Sequence, residues 1–304
     1  MRFDEGAGLD LSEVSDQRGG GGIGGRVAIG GGGLGVLGLV VYFLFAQFGG
    51  VSPSGSGLSG LGSGQQTDNS SLSEELSECR TGADANRNRD CATVAVINSI
   101  QDYWAAQFAR SGQTYRKATT NFFSGGVRTG CGNATSDVGP FYCPADSEVY
   151  IDLAFFQELR SRFGAQGGPF AEAYVLAHEY GHHVQNLNGT SDRVRSRSGP
   201  ASDSVRLELQ ADCYAGVWAN HATTTPTETG RPLVTEITQD DINRALDTAA
   251  RIGDDYIQRE LGGGRVDQSK FSHGSSKQRE KWLTTGITTG DPARCDTFST
   301  RDLG

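Results

Sequence analysis

The chain has 304 residues, 36% of them hydrophobic and 21% charged, which is enough for one sizeable globular domain plus appendages. Its formal net charge of −9, with no basic patch in the sequence, argues against binding to nucleic acid phosphates. Glycine is unusually frequent, at 44 residues, and most of the excess lies in the first 64 positions.

The N-terminal segment divides into two parts of different composition. Residues 1–25 are polar, acidic and glycine-rich without a hydrophobic period, which predicts a flexible tail. Residues 27–48 contain no charged residue, and a helix of this length would span about 33 Å, enough for a bilayer core. We therefore predict a transmembrane helix over 26–48. A cleaved signal peptide and a buried soluble helix are the alternatives, but the preceding region is long and acidic for a signal peptide.

The distribution of basic residues predicts the orientation of this helix. Arg2, Arg18 and Arg26 precede the uncharged residues 27–48, whereas no lysine or arginine follows them before Arg80. The positive-inside rule then predicts a single-pass protein of the cell membrane with a cytoplasmic N-terminus. Residues 49–75 are rich in glycine and serine and predict a flexible linker. Residues 76–304 would form one extracytoplasmic domain.

Six cysteines all follow the predicted membrane segment, and an even number there fits disulfides in an oxidising compartment. Six cysteines allow 15 pairings. Proximity in sequence favours two of the bonds, and elimination leaves the third: Cys79 with Cys91, Cys131 with Cys143, and Cys213 with Cys295. A zinc site built on cysteines is disfavoured because the sequence has no C-x-x-C motif.

The predicted domain begins with a helix from Asp90 to about Ala109 and continues with short strands at 115–123, 126–129 and 149–151. A helix over 153–163 and a second helix around residue 180 follow. Capping residues then predict three more helices, beginning near Ser202, Thr238 and Ser275, the second of them running to about Leu261. A small sheet followed by a mostly helical C-terminal half predicts an α+β fold.

The second of these helices carries an H-E-x-x-H motif, formed by His178, Glu179 and His182. Residues four apart lie on the same helix face, so the two histidines can bind one cation with Glu179 beside them. The opposite face is apolar and can be buried: Ala173, Leu176, Tyr180, Val184 and Leu187. His183 points away from the pair and is predicted to be structural.

A catalytic zinc usually has three protein ligands. Glu208, on the next predicted helix, is the best third ligand, and Asp212, one turn later, can accept the spare ring N–H of a ligand histidine. Alone, these two carboxylates would indicate a solvated acidic face. Their neighbours Leu207, Leu209, Ala211 and Tyr214 indicate burial instead, where unpaired carboxylates are unfavourable and a cation would stabilise them.

The sequence resembles a bacterial family of neutral zinc metallopeptidases within the gluzincin branch of the H-E-x-x-H enzymes. The similarity covers nearly the whole chain and rests on residues 1–3 with 15–19, the glycine-rich apolar segment, and residues 141–152, 178–185, 208–212 and 273–276. The acidic opening departs from the arginine-rich start of that family. The resemblance implies a zincin-like fold, one catalytic Zn²⁺ and peptidase activity on a peptide or protein substrate.

On this interpretation His178, His182 and Glu208 hold the zinc and Glu179 is the general base of an endopeptidase. His273, in a loop before a capped helix, is a candidate for stabilising the oxyanion, and a purely structural loop histidine is the alternative. The strand at 149–151 is a candidate for binding substrate by strand addition. Two other functions remain open, namely an inactive zinc-stabilised scaffold and a zinc hydrolase of a non-peptide amide.

Overall fold

The computed structural model describes residues 1–18, 74–227 and 230–304. It has eight short strands: β1 (Arg2–Phe3), β2 (Val14–Asp16), β3 (Thr120–Phe122), β4 (Gly126–Thr129), β5 (Gly132–Thr135), β6 (Phe141–Cys143), β7 (Glu148–Ile151) and β8 (Val234–Glu236). Its helices are α1 (Glu74–Ser77), α2 (Gly82–Ala85), α3 (Arg89–Arg110), α4 (Phe155–Ser161), α5 (Pro169–Leu187), α6 (Asp203–His221), α7 (Gln239–Arg251), α8 (Asp254–Tyr256) and α9 (Ser276–Thr289). The predicted α+β character is confirmed.

The main sheet has four strands in the order β2-β3-β7-β6. Strands β2, β3 and β7 run parallel, and β6 pairs antiparallel with β7. The strand predicted at 149–151 is therefore internal, with both of its edges already paired. A substrate strand could not be added to β7, which corrects the prediction of strand addition there. Strands β4 and β5 form a separate hairpin.

Capping residues mark most helix starts where the sequence places them. The Ser202 hydroxyl accepts the Val205 N–H at the start of α6, and capping boxes open α7 and α9 at Thr238 and Ser275. Two boundaries differ from the prediction. Asn88, rather than Asp90, caps α3. The helix predicted to continue to Leu261 ends at Arg251, close to Gly253, and a separate short helix follows.

The core helices approach one another at glycines. A Cβ added at Gly181 in α5 would lie 3.0 Å from the Cα and the carbonyl oxygen of Ala211 in α6. At the contact between α6 and α9, a Cβ on Gly286 would overlap the carbonyl oxygen of Cys213. Helix α6 is therefore held at close range between α5 and α9. This arrangement brings the carboxylates of α6 to the histidines of α5.

The three disulfides join the cysteines that the sequence pairs: Cys79 with Cys91, Cys131 with Cys143, and Cys213 with Cys295. The first two close short loops, with a sequence separation of 12 residues each. The third spans 82 residues and fixes the C-terminal segment to α6. The predicted pairing is confirmed, and it is consistent with folding in an oxidising compartment.

The N-terminal residues are part of the domain, so the flexible tail predicted over 1–25 is wrong for residues 1–18. Strand β1 pairs with β8, and β2 forms an edge of the main sheet beside β3. Phe3 and Val14 are buried in the core, and Arg18 forms ion pairs with Asp16 and Asp90. The sequence suggested a tail because its apolar residues are few, but those few alternate with polar residues in strands that the rest of the chain completes.

The predicted membrane topology is corrected for the same reason. Residues 2–3 and 14–16 hydrogen-bond to strands of the domain that contains the disulfides, so the two parts cannot lie on opposite sides of a membrane. A cytoplasmic N-terminus with an extracytoplasmic domain is therefore wrong, and a single-pass membrane location is not supported.

The transmembrane helix of the predicted fold class is not supported either. None of the helices in the described ranges combines the length and the apolar character needed to cross a bilayer. The helix predicted over 26–48 lies outside the described residues, as do residues 49–73 of the linker predicted over 49–75. The fold class is accordingly corrected to an α+β domain with a small sheet and a mostly helical C-terminal half.

Candidate metal centre

Helices α5 and α6 bring together the three residues that the sequence selects as metal ligands. The Nε2 atoms of His178 and His182 are 3.2 Å apart. The Glu208 carboxylate lies 3.1 Å from Nε2 of His178 and 3.6 Å from Nε2 of His182. One potential ligand atom from each residue lies within 4.8 Å of the others. Two imidazoles and one carboxylate are the ligand set of an open, catalytic type of zinc site.

The outer ring nitrogens of both histidines have partners. Nδ1 of His178 is 2.8 Å from the Asp212 carboxylate, and Nδ1 of His182 is 2.9 Å from the amide oxygen of Gln185. Since both partner oxygens accept hydrogen bonds, each ring carries a proton on Nδ1, and in the neutral ring the lone pair of Nε2 is directed toward Glu208. With both rings neutral, three electron-pair donors face one point. A cation fits this arrangement, and Zn²⁺ suits its nitrogen and oxygen donors.

A charged group that the sequence analysis did not identify lies behind Asp212. The buried Arg279 of α9 donates two hydrogen bonds of 2.9 Å to this carboxylate, and the Tyr174 hydroxyl donates a third, of 2.6 Å. Burial alone would raise the pKa of Asp212, but Arg279 and His178 hold it below its usual value. Asp212 is therefore an ionised partner that fixes the ring of His178.

The electrostatics of the centre favour positive charge. Burial disfavours protonation of His178, but Asp212 and Glu208 outweigh it and raise its pKa to about 10. Burial also opposes ionisation of Glu208, yet the imidazoles of His182 and His273 keep the pKa of this carboxyl well below its ordinary value. The site thus combines an anionic ligand with two imidazoles in a largely water-excluded place, where one cation would be strongly bound.

Glu179 lies beside the ligands and is itself buried, with 8% exposure. Burial raises the pKa of its carboxyl, and His178 and His182 partly offset this. The backbone N–H of Tyr142, in the edge strand β6, donates to the Glu179 carboxylate. Glu179 is therefore held between the metal ligands and strand β6, with a pKa above its ordinary value.

His273 lies close enough to the centre to interact electrostatically with Glu208. Its loop is organised by Asp254, whose carboxylate accepts the backbone N–H groups of Ser272, His273 and Gly274 at 2.7 to 3.0 Å. A second oxygen of Asp254 is 3.4 Å from Nδ1 of His273. Burial lowers the pKa of His273, but Glu208 and Asp254 outweigh it, so the net shift is upward. The structure thus places a charge-prone imidazole at the rim of the site.

His183, the third histidine of the motif, faces away from the centre as expected. It is fully buried, with Nε2 2.7 Å from the carbonyl oxygen of Arg116 and Nδ1 3.1 Å from the Tyr142 hydroxyl. Burial lowers its pKa to about 4, so it is neutral at physiological pH. Its bond to Tyr142 ties the edge strand β6 to helix α5.

Sequence reasoning missed four side chains of this site: Tyr174, Gln185, Asp254 and Arg279. Three of them carried a local signal. Tyr174 and Gln185 lie four residues before His178 and three after His182, which are the spacings of neighbours on one helix face. Arg279 lies on the same helix face as the apolar Trp282 and Leu283, which indicates that its side chain is buried. Asp254 carried no local signal, because only tertiary packing brings it to the loop that contains His273.

Comparison with known proteins agrees with this geometry. The model of the family described as "Putative neutral zinc metallopeptidase" matches residues 2–298. The Mycobacterium tuberculosis protein named "Uncharacterized protein Rv2575" is 52% identical over 232 residues, covering 76% of this chain and 78% of that protein. The Escherichia coli K12 protein named "Uncharacterized protein YpfJ" is 40% identical over 276 residues, covering 88% and 87%. No solved structure gives a significant match. The chain therefore belongs to the family described as "Putative neutral zinc metallopeptidase".

Proposed function

We propose that this protein is a zinc-dependent peptidase that cleaves internal bonds of peptide or protein substrates. The observation that carries the proposal is the convergence of His178, His182 and Glu208 within 4.8 Å, with the buried Glu179 beside them. When bound by these three ligands, zinc would supply Lewis acidity and lower the pKa of water toward about 7. The remaining steps belong to the side chains around it.

Glu179 is the general base. Its carboxylate takes a proton from the attacking water and delivers it to the departing amine. Burial raises the pKa of Glu179, which makes its carboxylate a stronger base for the first of these transfers. The Tyr142 N–H keeps the carboxylate oriented toward the metal ligands.

Asp212 and His273 have supporting roles in the proposal. Asp212 fixes the Nδ1–H form of His178 and thereby its orientation as a ligand. His273, polarised by Asp254, donates a hydrogen bond to the oxygen that becomes negative as the carbonyl is attacked. Strand β6 is the last strand in the order of the main sheet and lies beside α5, so an extended substrate can bind next to it with its backbone near Glu179.

The test compares Glu179→Gln with the wild-type chain. The amide keeps the shape of the side chain and removes the base, so zinc binding should persist while peptide cleavage falls by about 10²- to 10⁴-fold or more. Cleavage that survives the substitution would exclude Glu179 as the base. Should wild-type protein bind zinc without cleaving any peptide in a diverse library, a binding role for the metal centre would replace the peptidase proposal.

A further inference from the structure

Gln185 is fully buried and sits directly behind the second imidazole of the metal centre. Its amide oxygen is 2.9 Å from Nδ1 of His182, the most exposed of the three proposed ligands. We propose that Gln185 is a positioning residue that sets the tautomer of His182, and that Gln210 of α6 locks Gln185 in the required orientation. The inference rests on the proposed zinc site and names a group that serves it from outside the ligand set.

The orientation of the Gln185 amide is dictated by a backbone carbonyl. Its nitrogen donates to the carbonyl oxygen of Leu207 at 2.7 Å. A carbonyl oxygen can only accept, so the nitrogen must face Leu207 and the amide oxygen must face His182. A flipped amide would set two oxygens against each other at Leu207. The His182 proton is thus directed to Nδ1, leaving the Nε2 lone pair for the metal.

A second buried glutamine, Gln210, is oriented in the same way and contacts Gln185. The Gln210 side-chain nitrogen donates to the carbonyl oxygen of Cys295 at 3.0 Å, which orients its amide oxygen toward the nitrogen of Gln185, 3.1 Å away. Cys295 is bonded to Cys213 in α6, three residues after Gln210. Each amide nitrogen therefore donates to a backbone carbonyl oxygen that is held in place. The carbonyl of Leu207 belongs to α6, and that of Cys295 belongs to a residue that a disulfide joins to α6.

The charge of the site explains why this partner is an amide. The metal centre already contains three buried carboxylates: Glu179, Glu208 and Asp212. Asp212 is balanced by Arg279, but no described cation is hydrogen-bonded to Gln185 or Gln210. A fourth carboxylate behind His182 would be buried without compensation, which is unfavourable. A neutral amide orients the ring without that additional charge.

The proposal is tested by measuring the zinc dissociation constant of full-length variants, in competition with a chromophoric chelator. Gln185→Met removes the acceptor of the His182 proton while keeping the length of the side chain. We expect it to weaken zinc binding by about 10- to 100-fold. Gln101→Met is the matched control, since Gln101 is equally buried but accepts its hydrogen bond from Ala118. The control should keep the wild-type dissociation constant, and an equal loss in both variants would overturn the proposal.

A further variant separates positioning from stability. Gln185→Glu keeps an acceptor for His182 but loses the donor to Leu207 and buries a charge, so it should unfold at a lower temperature than Gln185→Met and still bind zinc more tightly. The opposite order of zinc affinities would refute the positioning role. Gln210→Met should weaken zinc binding less than Gln185→Met, because the Leu207 carbonyl still orients Gln185.

The wild-type chain supplies a readout that does not depend on any variant folding. Long-range ¹H–¹⁵N spectra of the zinc-loaded protein should show His182 protonated at Nδ1 and ligated through Nε2. Ligation through Nδ1 would overturn the inference while leaving the zinc site intact. A wild-type chain that binds no zinc would instead remove the proposed function itself, and the inference with it.

Discussion

Arg279 carries the positive charge that keeps Asp212 ionised in the core. Its guanidinium is almost fully buried and binds both oxygens of the carboxylate. We expect Arg279→Met to lower the free energy of unfolding by about 3 to 5 kcal/mol, because it leaves the buried Asp212 carboxylate without its positively charged partner. The double variant Asp212→Asn with Arg279→Met should recover part of this loss in urea titrations. Equal stabilities of the single and double variants would contradict the pairing.

His183 predicts a pH dependence of stability. Its pKa is about 4 in the folded protein and about 6.5 in the unfolded chain, so between these values the unfolded chain binds the extra proton. The stability should therefore be complete above about pH 6.5 and decrease as the pH falls toward 4, by up to about 3 kcal/mol from this residue. His183→Gln should show a smaller decrease than wild type between about pH 7 and 4.5. Parallel curves would contradict a neutral buried His183.

For individual residues, the sequence predicted which side chains would form the metal centre, but not which side chains would hydrogen-bond to them. His178, His182 and Glu208 could be selected because helical spacing and ligand chemistry are local properties of the chain. Arg279 binds Asp212 from 67 residues further along the chain, and no periodicity in either segment specifies that contact. Partners brought by tertiary packing require the relative placement of helices, which the sequence pattern leaves undetermined.

At the scale of elements, the crossing of α5 and α6 determines whether Glu208 can reach the histidines. Gly181 lies inside the metal motif because α6 passes too close for a side chain. We expect Gly181→Ala to lower the free energy of unfolding by about 1 to 3 kcal/mol and to weaken zinc binding, since the helices must separate. Gly8→Ala is the control, because its added Cβ meets no atom within 4 Å. Unchanged zinc affinity in Gly181→Ala would show that the crossing tolerates a methyl group.

The sequence predicted where helices begin, but it predicted the lengths of strands and the ends of helices less well. Ser202, Thr238 and Ser275 cap their helices as expected because a cap is a contact between residues three apart. The strand predicted over 115–123 is reduced to Thr120–Phe122, since strand length depends on the neighbouring strand. The helix predicted to Leu261 breaks near Gly253, where an added Cβ would lie within 3 Å of Ser276.

At the scale of the whole molecule, the N-terminal residues complete the domain. Phe3 is 5% exposed and packs in the core, although 70 residues and more separate it from the helices around it. We expect Phe3→Ala to lower the free energy of unfolding by about 3 kcal/mol, as for other buried aromatic side chains. Glu5→Ala, at an exposed position of the same segment, should have little effect in the same thermal or urea titration. Equal stabilities for the two variants would mean that the segment is detached in solution.

The membrane topology failed as a prediction because it treated the chain as consecutive independent segments. Charge and hydropathy are properties of a segment, but residues 14–16 belong to a sheet whose next strand begins at residue 120. Only the pairing of distant strands reveals that residues 1–18 and the disulfide-bearing domain lie on one side. The disulfide pairing was easier to predict, because proximity in sequence selected two bonds and left one choice for the third.

Zinc X-ray absorption spectroscopy of the full chain tests the metal centre most directly. We predict one zinc per chain with two imidazoles and light-atom ligands at about 2.0 to 2.2 Å, and no sulfur. Glu208→Ala should lose tight binding. A wild-type chain without zinc, or a bound zinc with fewer than two imidazole ligands, would contradict the metal centre formed by His178, His182 and Glu208.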